Sequence, residues 1–266
     1  MNKSELIAKQ GTRLAYYRMD DHSTSEELWS SHWESLNPSS DFYRRYEGGY
    51  LGVYKSIFPK HLPSEGKIIE AGCGRAQYVV ALRALGYDCD GIDFAVSTVD
   101  EINKSYPELP VSQGNVLDLE YETSSIAAYI SLGVVEHFHE GPEQALDETF
   151  RVLEPGGMGI IAVPVNNPLR QRFAADTESD LAEGSRFYQY AFSRVEFEQF
   201  LTLTGFIIEK YYGQGLYYSM NAGIPLFKSI SKKIPLLRAI DRVANLTPLV
   251  RKFGRTGIWI VRKPTA

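Results

Sequence analysis

Residues 67–93, KIIEAGCGRAQYVVALRALGYDCDGID, restrict what this chain can fold into more than any other stretch. A short apolar run, Ile68-Ile69, ends on Glu70 and meets the small-residue turn Ala71-Gly72-Cys73-Gly74. Val79, Val80, Leu82 and Leu85 then recur at helical spacing until Gly86, and residues 88–92 read as a second strand ending on Asp93. Strand, glycine turn, helix, strand is the first half of a doubly wound α/β sheet. Gly72 and Gly74 carry no Cβ, so the backbone there can come within contact distance of a ligand. Asp93, at the carboxyl end of the neighbouring strand, stands where an acid accepts hydrogen bonds from a ribose diol.

Two nucleotide-type cofactors fit such a unit. A nicotinamide fingerprint asks for G-x-G-x-x-G/A, and the sixth position here is Gln77. Glu70, just before the glycines, would repel a pyrophosphate and suits a ligand with a cationic amino group. On these residues the chain resembles the class I S-adenosylmethionine-dependent methyltransferases, whose first motif is acid-x-Gly-x-Gly. Ala76 stands where that family usually has a third glycine. The resemblance extends over residues 67–212, through Gln113-Gly114-Asn115-Val116-Leu117-Asp118, residues 131–138 and the turn Leu153-Glu154-Pro155-Gly156-Gly157.

That resemblance implies a doubly wound, mostly parallel seven-stranded sheet of Rossmann-like type, S-adenosylmethionine as cofactor and methyl transfer as the reaction. It implies that Glu70, Gly72 and Gly74 shape the amino-acid end of the site and that Asp93 holds the ribose. Phe94, Asn115 and Val116 would surround the adenine, and Leu132 would contribute backbone near the methionine part. Asn115 takes the place of an acid in the family; its amide oxygen can accept from an exocyclic amine, and the same residue type is an ordinary turn former.

A fourth strand is expected over residues 126–132, followed by Gly133-Val134-Val135-Glu136-His137-Phe138-His139-Glu140. Three readings of that cluster stand side by side. Glu136, His137, His139 and Glu140 could ligate a metal, although no distant ligand partner is evident and no metal is expected. His137 could be a hydrogen-bonded element at the top of the sheet. As the candidate catalytic residue, His137 could remove a proton from the methyl acceptor, because an imidazole titrates near neutrality.

Residues 1–22 show no periodic pattern. Ser23 and Glu26 form a capping box ahead of Leu28, Trp29, Trp33 and Leu36. Asp41 can open a helix running through Phe42, Tyr43, Tyr46 and Tyr50 to Phe58-Pro59, weakened by Gly48-Gly49. Residues 1–60 are thus expected to be a helical cap segment, and residues 61–266 a methyltransferase domain. In methyltransferases resembling this one, such segments close over the cofactor and line the acceptor pocket; the alternative is plain packing on the sheet edge. Arg44 and Arg45 could reach the cofactor carboxylate or lie on a solvated face. Helices are expected over 97–106, 143–153 and 195–204, the last opened by Ser193 with Glu196 and ended by Gly205. Strands are expected over 111–116, 158–163, 206–212 and 257–261. The family joins its last two strands by a short hairpin. Here an amphipathic insertion at about 213–255 intervenes, apolar at Leu226, Phe227, Ile230, Ile234, Leu237 and Ile240.

Charge sets that insertion apart. Residues 213–266 carry 10 Lys/Arg against one acid, whereas residues 61–212 carry 10 against 24. The insertion is expected to dock on an anionic surface, a membrane leaflet or the pyrophosphate of a carrier-linked substrate, or to cover the acidic core. A small molecule or saccharide is the expected acceptor. Nucleic acid is not, because no Asn/Asp-Pro-Pro-aromatic motif follows the fourth strand and no Pro-Cys nucleophile occurs. Cys73 and Cys89, both within the core motif, suit a reducing compartment. No apolar run reaches the ~20 residues that span a bilayer, and no signal-peptide core opens the sequence, so the expected address is the cytoplasm, with peripheral membrane contact through the insertion. A cofactor-binding partner protein without catalysis is the main alternative; a nicotinamide-dependent oxidoreductase is another, opposed by Gln77 and Glu70.

Overall fold

The computed structural model describes residues 5–18, 29–31, 33, 40–172, 174–176, 184–233 and 247–265. The chain opens with a β-hairpin, β1 (Glu5–Gln10) and β2 (Arg13–Arg18). Gln10 faces Arg13 across a Gly11-Thr12 turn, with Gly11 at φ 60°. This corrects the expected helical cap at its start. Leu14, Ala15, Tyr16 and Tyr17 are all buried, so β2 is covered on both faces and lacks the polar alternation that marks a strand. Trp29–Ser31 and Trp33 are helical; Ser23, Glu26, Leu28 and Leu36, which carried the capping-box reading, lie outside the described residues.

Helix α1 (Ser40–Glu47) ends where Gly48-Gly49 begins, so the long helix expected from Asp41 is interrupted rather than weakened. The amide of Gly49 bonds to the Tyr46 carbonyl and that of Tyr50 to the Arg45 carbonyl, with Gly49 at φ 76°. These are the two bonds of a Schellman stop, which needs a residue free to adopt the left-handed conformation. A 3₁₀ turn, Gly52–Tyr54, and the short α2 (Phe58–His61) lead into the sheet.

The sheet's parallel half alternates with helices in chain order. It runs β3 (Ile68–Ala71), α3 (Gln77–Ala84), β4 (Cys89–Asp93), α4 (Val96–Ser105), β5 (Val111–Gln113), β6 (Ile126–Leu132) and α5 (Glu143–Val152). Then β7 (Leu153–Pro164) and α6 (Pro168–Gln171) follow, and β8 (Arg186–Ala191) joins the hairpin instead. The chain continues with α7 (Arg194–Thr204), β9 (Ile207–Gln214), α8 (Leu216–Gly223), α9 (Pro225–Lys233), α10 (Leu249–Phe253) and β10 (Thr256–Arg262). Seven strands lie in the order β5-β4-β3-β6-β7-β10-β9, and β10 runs antiparallel to both its neighbours. Consecutive residues of β3 feed opposite cores: Ile69 packs with Tyr129 and Trp259, Ile68 with Ile130 and Ile258. A sheet covered on both faces explains the unbroken apolar run.

Strand order reverses between β3 and β6, and in open α/β sheets the ligand crevice lies at that point, beyond the carboxyl ends of the strands. A second sheet, β1-β2-β8, is antiparallel and stands beside this edge. No sequence reading anticipated β8. The Pro155-Gly156-Gly157 turn lies inside β7: Gly156 at φ 84° and the close approach of Gly157 to the Glu154 and Ile126 carbonyls bring the chain in beside β6.

Candidate active site

The glycine turn is stitched to the end of β4. Gly72 and Cys73 donate to the Ile92 carbonyl at 2.7 and 2.9 Å, and Gly74 donates to Asp93 Oδ2 at 2.7 Å. Asp93 Oδ1 accepts from the amide of Ala95 at 2.9 Å. Gly72 has φ 74°, and a Cβ there would lie 2.4 Å from Val134 Cγ2, so the turn can press against the loop after β6 only as glycine. A Cβ on Gly74 would lie 2.3 Å from the Trp33 indole. Ala76 adopts φ 55° at the N-cap of α3, holding with an alanine the left-handed conformation that a third glycine would take without strain.

Arg75, which sequence reasoning passed over, is buried and binds three elements together. It pairs with Glu101 at 2.6 Å, donates to the Trp33 carbonyl at 2.7 Å, and its own carbonyl accepts the Tyr43 hydroxyl at 3.0 Å. Only its place in the turn could have drawn attention to it. Arg44 and Arg45 are exposed and do not line the cavity described next.

A cavity of about 690 Å³ opens between the β3 and β6 ends. Glu70, Gly72, Asp93, Phe94, Asn115, Val116, Leu132 and His137 all line it, so residues scattered over 68 positions of sequence meet at one place. Gly74 is the exception: it lies beneath Trp33 and supports the wall rather than forming it. Asn115 is exposed, and its Oδ1 accepts from the Leu117 amide at 3.0 Å, so its turn-forming role is visible directly. The aromatic wall comes from Trp29, Trp33, Tyr54, Tyr78, Phe138 and Tyr188. Tyr188 reaches it from β8, and no sequence signal pointed there.

Two carboxylates face this cavity from buried positions. Glu70 is 2% exposed, its Oε2 has no hydrogen-bond partner, and burial raises it from the ordinary carboxylate range to about 8. Glu136 is likewise 2% exposed with an unpartnered Oε2, and burial raises it to about 8. Asp93 is also raised by burial, held back by the amides of Ala95, Gly74 and Phe94. His137 accepts no ambiguity at one nitrogen: Nδ1 lies 2.7 Å from the Tyr188 carbonyl, which can only accept, so Nδ1 carries the proton. The other nitrogen, Nε2, is 4.0 Å from Glu136 Oε1. His139 and Glu140 stand apart at the surface, their side chains 59% and 99% exposed, so the Glu/His quartet is divided between cavity and solvent.

A buried carboxylate with an oxygen left unpartnered beside a glycine cradle suits an ammonium group, because leaving that oxygen unpartnered costs free energy. The residues therefore fit an amino-acid-bearing nucleoside. Residues 69–161 match the family described as "Methyltransferase domain".

Over that stretch the chain is similar to a methyltransferase domain.

A Mycolicibacterium smegmatis protein named "Probable S-adenosylmethionine-dependent methyltransferase" is 26% identical over 179 residues, 66% of this chain and 64% of the relative. The chain spans less than two thirds of the length of the curated relatives it matches. Among solved structures, an S-adenosylmethionine-dependent methyltransferase from Methanosarcina mazei superposes with a TM-score of 0.57 at 17% identity, covering 81% of this chain and all of that one. The geranyl diphosphate C-methyltransferase of Streptomyces coelicolor A3(2), solved with Mg²⁺, geranyl diphosphate and S-adenosyl-L-homocysteine, gives 0.56 at 14% identity over 91% of this chain. Both likenesses establish the methyltransferase fold.

Proposed function

We propose that this chain transfers a methyl group from S-adenosylmethionine to a small-molecule acceptor, a saccharide or lipid-linked saccharide among them. Glu70 carries the reading: a buried carboxylate at the glycine turn with its Oε2 left unpartnered, in a cavity whose other half is aromatic. Glu70 would take the ammonium group of the cofactor. Asp93 Oδ2 accepts the Gly74 amide and Oδ1 that of Ala95, and a remaining carboxylate lone pair would take a ribose hydroxyl. Phe94, Asn115 and Val116 would bound the adenine, and Leu132 the methionine part. When bound, the cofactor supplies a methyl group already activated by a sulfonium charge. The chain's own tasks would then be to orient the acceptor against Trp29, Tyr54, Phe138 and Tyr188, to exclude water, and to accept a proton, which His137 Nε2 would take.

Calorimetry and thermal shift with S-adenosylhomocysteine against NADH test this directly. A rise in melting temperature with the first ligand alone is expected, since a ligand of the native state stabilises it. A response to NADH instead would favour an oxidoreductase.

Peripheral contact with an anionic membrane belongs to the same proposal. No helix among the described residues is long and apolar enough to cross a membrane. Tyr218, Ile230 and Leu249 are exposed at 46%, 40% and 57%, close in sequence to the exposed Lys228, Arg251 and Lys252 on the inserted helices. Exposed apolar side chains on helices that also carry cations suit an anionic leaflet, where each cation contributes about 1 kcal/mol. Co-sedimentation with anionic but not neutral vesicles, weakened by salt, is expected. Equal absence of binding to both at low salt would assign the insertion to intramolecular packing alone.

A further inference from the structure

We propose that Glu136 and His137 act as one proton-accepting pair toward an acceptor that carries a hydroxyl or N–H hydrogen. The inference rests on the methyltransferase reading above and assigns Glu136 a task that reading leaves open.

The geometry begins at β8. The Tyr188 carbonyl holds Nδ1–H of His137 at 2.7 Å, so the lone pair of the neutral ring sits on Nε2. The ring is fixed further by Trp29, edge-on with centroids 4.6 Å apart, and by Tyr188, at 5.0 Å. Nε2 is 4.0 Å from Glu136 Oε1, and both residues line the cavity. Glu136 is the less ordinary partner. It sits on a 3₁₀ turn, Val135–His137, 2% exposed, with Oε2 lacking any hydrogen bond. Folding alone gives no reason to bury a carboxylate with an idle oxygen; a cationic or hydrogen-donating partner arriving in the cavity supplies one.

The charges around Glu136 are few. His137 faces it from the same turn, and Tyr54 feels the charge of both Glu136 and Glu70. No Lys or Arg lines the cavity among the described residues. The positive charge that best stabilises an ionised Glu136 is therefore one made during the reaction. The acceptor loses its X–H proton to Nε2 and keeps the electron pair, which enters the new bond to the methyl carbon. The pair of the broken carbon–sulfur bond stays on the departing thioether. One positive charge thus leaves the sulfur and appears on the imidazole ring, beside the Glu136 carboxylate. In its ionised form Glu136 places an anion where that charge develops, which is worth most in a cavity shielded from water. Tautomer and anion are supplied by different groups here, Tyr188 on Nδ1 and Glu136 on the Nε2 side. An acceptor without a removable hydrogen has no use for either.

Proton NMR of ligand-free protein tests the pairing apart from turnover. The His137 ring signal, identified by its loss in His137→Gln, should titrate in two steps in the native chain and in a single step in Glu136→Gln, as expected of coupled groups. Glu136→Asp, which keeps the charge but withdraws it by one methylene, should retain both steps. With an acceptor in hand, Glu136→Gln should lower turnover at pH 7.5 by roughly 10- to 100-fold and remove one limb of the pH–rate profile, while S-adenosylhomocysteine affinity stays within about twofold. An identical single-step titration in all three chains would overturn the pairing, as would undiminished turnover of Glu136→Gln. Failure of S-adenosylhomocysteine to bind the native chain would instead overturn the underlying methyltransferase reading.

Discussion

Asp93 shows how a side chain proposed to hold the ligand also serves the fold. Its two oxygens accept the Gly74 and Ala95 amides, so it fixes the glycine turn before any ribose arrives. Asp93→Ala should therefore weaken S-adenosylhomocysteine binding by about 2–3 kcal/mol, roughly 30- to 150-fold by calorimetry. The same change should lower the melting temperature, because the Gly74 amide is left without its acceptor. Unchanged affinity would remove the ribose assignment. Asn115 illustrates the converse. Its residue type suggested both adenine contact and turn formation, and the Asx bond to Leu117 is the one the fold displays. Glu70 stood out in sequence as the acid of the glycine motif, whereas Glu136 stood in one cluster with His137, His139 and Glu140. Only burial distinguishes Glu136 from the exposed Glu140.

At the scale of elements, the segment between residues 40 and 61 was legible in its helical character and not in its breaks. Two bonds at Gly49 stop α1, and a Cβ there would lie 2.7 Å from Leu85 Cδ2, a side chain left 48% exposed at the end of α3. Gly49→Ala should cost about 1–2 kcal/mol through the left-handed conformation, with a further loss from displacing Leu85. Denaturant unfolding would register it, and a change below ~0.3 kcal/mol would mean the helix ends by other means. The strands β3, β4 and β6 fell where short apolar runs bounded by turns place them. The hairpin did not, because Leu14 to Tyr17 pack on both sides and period-two alternation disappears. Strand β8 was missed for a related reason: its residues read as an aromatic-rich connection until β2 pairs with them.

For the molecule as a whole, the two raised carboxylates make stability depend on pH. Glu70 and Glu136 are raised from 4.5 to about 8 in the native state by burial. Between those values the native chain holds protons that the unfolded chain has released, so stability is present below about pH 4.5 and is lost as pH rises through about 8. His61, lowered by burial, opposes this weakly near the histidine range. Ligand-free protein should melt at a lower temperature at pH 8.5 than at pH 6. The double variant Glu70→Gln/Glu136→Gln should flatten that decline, and a decline of equal size in the variant would show that other groups carry it. What the sequence by itself determined is the parallel α/β sheet and the glycine turn with Glu70 and Asp93, because these depend on local runs, turns and spacings that survive in one dimension; the cofactor class followed from the family that this turn resembles. The tertiary structure alone decided which wall faces them. Tyr188 meets His137 only through a pairing of β8 with a hairpin more than 160 residues earlier, and Glu136 becomes a buried, unpartnered acid only once the sheet, the 3₁₀ turn and that second sheet close around it. Burial and long-range strand pairing are properties of the assembled chain, and no local pattern encodes them.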